Sequence, residues 1–179
     1  CGANIGLSIL YFKKLFPNAK ILAFEPDNDI FKLLAKNVGL MSDHENIELR
    51  EEAVWIRDEE LTFFAEGALA GSNMIDFGNN KNVINVRGID LKKHLHEHVD
   101  FLKIDIEGAE NTVIFDIEQQ LKNVDNMFLE YHGLNDSPQN LGDILNLLKK
   151  AGFEYYIRLA ADTLKFPFCR EVSKTFNQQ

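Results

Sequence analysis

The chain has 179 residues, 45% of them hydrophobic, which is enough for one sizeable core and demands no second domain. A net charge of -9 and a pI near 5.0 argue against recognition of a phosphate backbone, which depends on clustered Lys and Arg. No apolar run approaches the ~20 residues that span a bilayer, and two cysteines, Cys1 and Cys169, without CxxC spacing favour a reducing compartment. The expected setting is therefore cytoplasmic, with no nucleic-acid or membrane partner.

Residues Cys1-Gly2-Ala3-Asn4-Ile5-Gly6 place two glycines around an asparagine directly before an apolar helix. Glycine tolerates positive φ and carries no Cβ, so such a turn lets a ligand touch backbone, and the helix N-terminus points free N–H groups at it. No strand precedes the turn, so the chain reads as a single domain over residues 1–179, truncated at its N-terminus, with the first strand of its sheet largely missing. Ile5, Ile9, Phe12 and Phe16 recur at helical spacing until Pro17-Asn18. Residues 21–24 read as a buried strand with Glu25 at its tip. A carboxylate there, about 20 residues past a glycine turn, is the usual holder of two ribose hydroxyls.

Pro26-Asp27-Asn28 supplies a turn and an N-cap to a helix with Phe31, Leu34, Ala35 and Val38 inward, closed by Gly39. A third strand is expected over residues 47–54. Residues 61–64 and 83–86 look like strands of an antiparallel excursion around a Gly/Ser/Asn-rich loop at 67–80. A short helix over 89–99 and a strand over 101–106, ending in Asp105, come next. Ala109, Val113, Ile114, Ile117 and Leu121 form one face of the following helix, and residues 127–131 the strand after it. Ser137-Pro138 starts a helix capped by Gly152, residues 153–157 are a further strand, and residues 168–173 a final hairpin strand. The alternation describes an α/β fold, a mostly parallel sheet with helices on both faces.

Two constellations carry chemistry. The dinucleotide fingerprint wants glycines at its first, third and sixth places, whereas this turn has Asn4 third and Leu7 sixth. An NAD-dependent oxidoreductase is thereby disfavoured. Glycines four apart suit a ligand with no pyrophosphate to cradle, such as S-adenosylmethionine. The second constellation is Lys103-Ile104-Asp105-Ile106-Glu107-Gly108-Ala109-Glu110, three carboxylates where a strand opens into a helix, at the edge where open parallel sheets bind ligands. Placement of an acid at a helix N-terminus accounts for Glu110 without any further role. It accounts less well for Asp105 and Glu107, because Gly108 marks close backbone approach.

CGANIGLSILYF, ILAFEPD, FLKIDIEGAE and FLEYHG, in that order, resemble the FkbM family of S-adenosylmethionine-dependent methyltransferases. The resemblance runs through nearly all of residues 1–158. It implies a three-layer, Rossmann-like class I methyltransferase sheet, mostly parallel with an antiparallel last strand, and methyl transfer usually to a hydroxyl oxygen. By position it implies that Gly2, Asn4 and Gly6 line the methionine end of the cofactor and that Glu25 holds the ribose hydroxyls. Pro26 and Asp27 would flank the adenosine, Glu52 and Ala53 would lie beside adenine, and Asp105 would sit under the sulfonium. The acidic residue that the pattern expects two places before the first glycine has no counterpart in this chain.

Leu129-Glu130-Tyr131-His132-Gly133 ends the next strand, and alternation puts Glu130 and His132 on one side, so that an acid could orient an imidazole. His132 and its rival Glu107 are the candidate catalytic groups for preparing an acceptor hydroxyl. Asp105, Glu130 and His132 can also be drawn as a divalent metal site, but no spacing demands one and none is expected. His94-Leu95-His96-Glu97-His98 puts His94 and His98 on one helix face, yet lacks the HExxH order and reads as a solvated surface. Gly71-Ser72-Asn73-Met74 is a candidate lining for the acceptor pocket. The expected function is methyl transfer to a small-molecule or sugar hydroxyl, with a non-catalytic methyltransferase-fold binding domain as the alternative.

Overall fold

The computed structural model describes residues 1–65, 71–72, 83–133 and 139–158. In chain order its elements are α1 (Leu7–Leu15), β1 (Ile21–Phe24), α2 (Asn28–Gly39), β2 (Ile47–Arg50), β3 (Ala53–Trp55), β4 (Glu59–Ala65), β5 (Gly71–Ser72), β6 (Val83–Asp90), β7 (Val99–Ile104), α3 (Glu110–Asp116), β8 (Val124–Leu129) and α4 (Leu141–Lys150). Short 3-10 turns lie at His44–Asn46, Leu91–His94 and Glu118–Asn123. β1 pairs with β2 and β7 with β8, both in parallel, and the remaining strands form a sheet of order β3-β6-β4-β5. In that sheet β3 and β6 are parallel, and β4 runs antiparallel to both of its neighbours. The expected mixed α/β architecture and the central antiparallel excursion are both present.

Helix ends follow the local chemistry. Asp27 caps α2 by accepting from the N–H groups of Asp29 (2.9 Å) and Ile30 (3.1 Å). Gly152, at φ 95°, closes α4, with the Gly152 and Phe153 N–H groups donating back to the Lys149 and Leu148 carbonyls. Gly39 instead stays helical as the last residue of α2, and Leu40 caps it in a right-handed conformation.

Several boundaries depart from the sequence reading. The strand expected over 47–54 breaks at Glu51-Glu52: β2 joins β1, whereas β3 crosses to β6. The two glutamates go to different neighbours, Glu51 to Asn28 at 2.6 Å and Glu52 to Arg87 at 3.5 Å. The helix expected over 89–99 shrinks to Leu91–His94, because Ile89 and Asp90 complete β6 and Val99 already begins β7. The amphipathic helix after Gly108 divides into α3 and a 3-10 turn, yet keeps its inward face, with Val113, Ile114, Ile117 and Leu121 at most 1% exposed. Residues 153–158 carry no strand, and Tyr156 is 94% exposed. The hairpin partner expected for them at 168–173, the start Ser137-Pro138 and most of the 67–80 loop lie outside the described residues.

Besides a small cluster of Ala53 and Val86 with Leu61 and Ile84, two larger apolar clusters hold the elements together. One gathers Phe24, Ile89, Leu91, Leu102, Ile104, Ile114, Leu121, Ile144 and their neighbours around β7, β8, α3 and α4. The other joins Leu34 and Val38 of α2 to Ala3, Ile9 and Ala23. The single sheet expected from sequence is three separate sheets among the described residues. β1 and β7 flank a cleft of about 1070 Å³ lined by side chains such as Ile9, Phe12, Leu22, Leu95 and Phe101. Residues 1–3 stitch the two sides: the Cys1 nitrogen donates to the Lys103 carbonyl (2.8 Å) and the Ala3 N–H to the Phe24 carbonyl (2.9 Å). The carboxyl ends of β1 and β7 are thereby tied to one glycine turn.

Candidate functional site

That turn is built on left-handed backbone, with Gly2 at φ 72°, Asn4 at φ 48° and Gly6 at φ 96°. A Cβ on Gly2 would lie 1.7 Å from the Asp105 carbonyl oxygen. The close approach that requires glycine here is thus to the protein's own backbone beyond β7. Gly6 is the N-cap of α1, and a Cβ there would meet Leu34 at 3.0 Å. Asn4, a residue type that tolerates left-handed backbone, accepts the Ile5 N–H on its own Oδ1 at 2.7 Å.

Glu25 lies one residue past β1 and is 7% exposed. Its Oε2 accepts the Asn4 N–H (2.8 Å) and its Oε1 the Asp27 N–H (3.1 Å). Burial pushes this carboxyl above its ordinary value, and the two N–H bonds pull against that rise. Each carboxylate oxygen carries a second lone pair, so both can still accept from a pair of hydroxyls. Glu52 and Ala53 follow the end of β2, Ala53 buried and Glu52 turned to Arg87. Pro26 and Asp27 form the link from β1 into α2.

Asp105 follows β7, and the Lys103 ammonium bridges its Oδ2 (2.8 Å) to the Gly2 carbonyl (3.3 Å). Glu107 and Gly108 come next with φ of 52° and 100°. Left-handed backbone at a non-glycine residue costs about 1–2 kcal/mol, a strain that turns Glu107 back over the strand end. Glu107 is 30% exposed at its side chain, and its Oε2 lies 3.4 Å from the Nε2 of His132, whose side chain is 4% exposed. Asp105 and Glu107 are therefore the outer groups, and His132 stands behind them.

The residue that holds His132 is not Glu130, as alternation suggested, but Glu110. Glu130 reaches only 4.0 Å from Nε2. Glu110 stands in the first turn of α3 as expected, but it is fully buried at 0% exposed. Its Oε1 accepts from both the backbone N–H (2.7 Å) and Nδ1 (2.9 Å) of His132, and its Oε2 accepts the Gly108 N–H (2.9 Å). Asn111 ties the same pieces together, donating its amide to the carbonyls of His132 (3.0 Å) and Gly108 (3.3 Å). Burial disfavours a charged ring, but the hydrogen bond to Glu110 and the charges of Glu110, Glu107 and Asp105 outweigh it, so His132 is pushed up to about 9. Burial likewise raises Glu107, against the pull of His132.

Asp105, Glu107 and His132 offer donor atoms within 4.8 Å of one another, with Glu107 in the place that alternation gave to Glu130. Lys103 and the protonated ring meet these groups in an ion-pair network, two cations against the carboxylates of Asp105, Glu107 and Glu110. The HLHEH run does not form a helical metal face: residues 95–98 are outside the 3-10 turn. His94 packs edge-on to Phe24 at 5.3 Å, and His98 pairs with Asp125 at 3.0 Å on the surface. Sequence reasoning gave Glu110 only a helix-start placement and did not foresee its contacts with His132 and Gly108. The available signal was its position three residues after Glu107 with a glycine between them, which folds it back under the turn.

Comparison with known proteins gives this geometry a context. The methyltransferase FkbM domain model matches residues 1–155. Methyltransferase sdnD of Sordaria araneosa is 29% identical over 66% of this chain and 59% of its own length. Methyltransferase 1 of Beauveria bassiana is 25% identical over 85% of this chain and 70% of its own. The AMB antimetabolite synthetase AmbE of Pseudomonas aeruginosa is 26% identical over 88% of this chain, which spans 9% of that protein. The crystal structure of methyltransferase FkbM from Methylobacillus flagellatus superposes with a TM-score of 0.58 at 15% identity, over 83% of this chain and 36% of that one, a likeness of fold. The chain thus spans well under two thirds of the first of these relatives.

Proposed function

The chain belongs to the methyltransferase FkbM domain family, and on that premise we propose that it transfers a methyl group from S-adenosylmethionine to a hydroxyl oxygen of a small molecule or sugar. The observation that carries this reading is Glu25, a buried carboxylate at a strand end that clasps the glycine turn through the Asn4 N–H while keeping lone pairs for two hydroxyls. The turn fits the group from the other side, because residues 1–3 bring it against both β1 and β7.

In this assignment Glu25 holds the ribose, Gly2, Asn4 and Gly6 lie along the methionine end, and Asp105 lies beneath the sulfonium. Pro26, Asp27, Glu52 and Ala53 border the adenosine. When bound, the cofactor supplies an electrophilic methyl carbon on a sulfonium that leaves as a neutral thioether. What remains for the protein is to align the acceptor, exclude water and accept one proton. Glu107 is placed to take that proton: it is the more exposed member of the pair, and burial raises its carboxyl above its ordinary value, against the pull of His132. His132, behind it, steadies the carboxylate. The acceptor's oxygen–hydrogen bond breaks toward Glu107 Oε2 as its oxygen–methyl bond forms. The name of the AmbE relative ties that protein to antimetabolite synthesis, which agrees with a small-molecule acceptor.

Calorimetric titration with S-adenosylhomocysteine tests the cofactor assignment. Binding to the parent chain and its loss in Glu25→Ala are expected. Equal binding by the two proteins would remove Glu25 from the site.

A further inference from the structure

Glu110 is a buried, ionisable side chain that the methyl-transfer scheme does not use, yet it makes three hydrogen bonds of 2.7–2.9 Å. A carboxylate at 0% exposure survives only with its oxygens well partnered. Here the partners are chosen: the Gly108 N–H fixes one oxygen, and the other receives both the backbone and the ring N–H of a single residue, His132. Backbone and ring held by one oxygen leave the imidazole little freedom about its χ angles. Its remaining nitrogen, Nε2, is directed at Glu107, which carries left-handed strain.

We infer that Glu110 is a positioning residue that acts through His132: it holds the ring with its proton on Nδ1 and Nε2 facing Glu107, so that Glu107 meets the acceptor in one orientation. This rests on the methyl-transfer reading above. The charged groups facing the ring come from every adjoining element: Glu110 of α3, Asp105 and Glu107 of the turn after β7, with Lys103 on Asp105, and Glu130 beyond β8. Glu110 alone among them bonds Nδ1, so its removal has a signature that the others do not share.

Two measurements test this. Ring nitrogen and proton spectra of histidine-labelled protein, without cofactor or acceptor, should show His132 with Nδ1 protonated, and in Glu110→Gln the ring should titrate about one pH unit or more lower. A neutral ring that carries its proton on Nε2 in the parent overturns the proposal, and so does an unshifted titration in Glu110→Gln; the parent spectrum decides alone if that variant does not fold. In methyl transfer, Glu110→Gln should lower kcat about 10–100-fold, part of what general acid–base catalysis contributes, with cofactor affinity within about twofold. The double variant with His132→Gln should be no slower than His132→Gln alone. Additive losses would overturn the positioning role while leaving methyl transfer standing. Absence of methyl transfer in the parent would sink the functional reading, and the spectra would still decide the case of Glu110.

Discussion

In the proposed reaction Glu107 and His132 divide their roles by depth, with side chains 30% and 4% exposed. Because Glu107 is the outer group, Glu107→Gln should reduce kcat by about 100-fold or more, and His132→Gln by less, with the donor bound normally in both. Equal affinity with an unchanged rate in single-turnover assays would remove Glu107 from the chemistry. The same pair makes stability depend on pH. His132 holds its proton more tightly folded, at about 9, than in the unfolded chain, where about 6.5 is ordinary. Its contribution is therefore full below about 6.5 and is lost as pH rises through about 9. Urea unfolding across that window should show a fall of a few kcal/mol that His132→Gln flattens. A parent curve as flat as the variant's would contradict the ion-pair network.

At this scale the sequence was legible where chemistry is local and misleading where it depends on a turn. Glu25 and Asp105 stand at strand ends as expected, since an apolar run followed by an acid marks its own terminus. Glu110 was not legible, because Glu107 and Gly108 both adopt positive φ and the fold-back they produce has no periodicity to read. Gly2 shows the same limit: its glycine was expected for ligand approach, and the backbone of Asp105 is what fills the space.

Among elements, the glycine turn couples β1 to β7. Gly2→Ala must move the Asp105 carbonyl or the turn itself, since 1.7 Å is below any real contact, and positive φ adds its own cost. It should lower the unfolding midpoint and weaken donor binding together, whereas Gly142→Ala, which meets nothing within 4 Å, should leave both intact. Thermal unfolding of the two variants side by side checks this. Apolar periodicity found α2 and α4 because each buries one face; it also found α1, although there Ile9 is buried while Phe16 of the expected stripe is 61% exposed. It overran at α3, where the inward face continues through Ile117 to Leu121 although the α-helix has become a 3-10 turn. It could not see the break at Glu51-Glu52, since a strand that changes partners keeps the same alternation. Ile114→Ala, at a site with 0% exposure where α3 meets the core, should cost about 2–5 kcal/mol in denaturant unfolding.

Across the whole molecule, function converges because parallel strands deliver their carboxyl ends to one side. Glu25 after β1, Asp105 after β7 and Glu130 after β8 gather there, and residues 1–3 lace the first two together. The family was legible from motif order, because each motif marks one such strand end. The acceptor was not, because the loops beside these ends carry neither a periodic pattern nor a motif that names a ligand. Among the described residues no helix is long and apolar enough to cross a membrane. At this edge partly buried Asp105 holds Lys103, and fully buried Glu110 holds the protonated His132 ring. The central claim is that this edge binds S-adenosylmethionine through Glu25. Parallel calorimetric titrations of the parent chain with S-adenosylhomocysteine and with NADH test it most directly. Saturable binding of S-adenosylhomocysteine alone, abolished by Glu25→Ala, is the expected result; binding of NADH, or of neither, would contradict it.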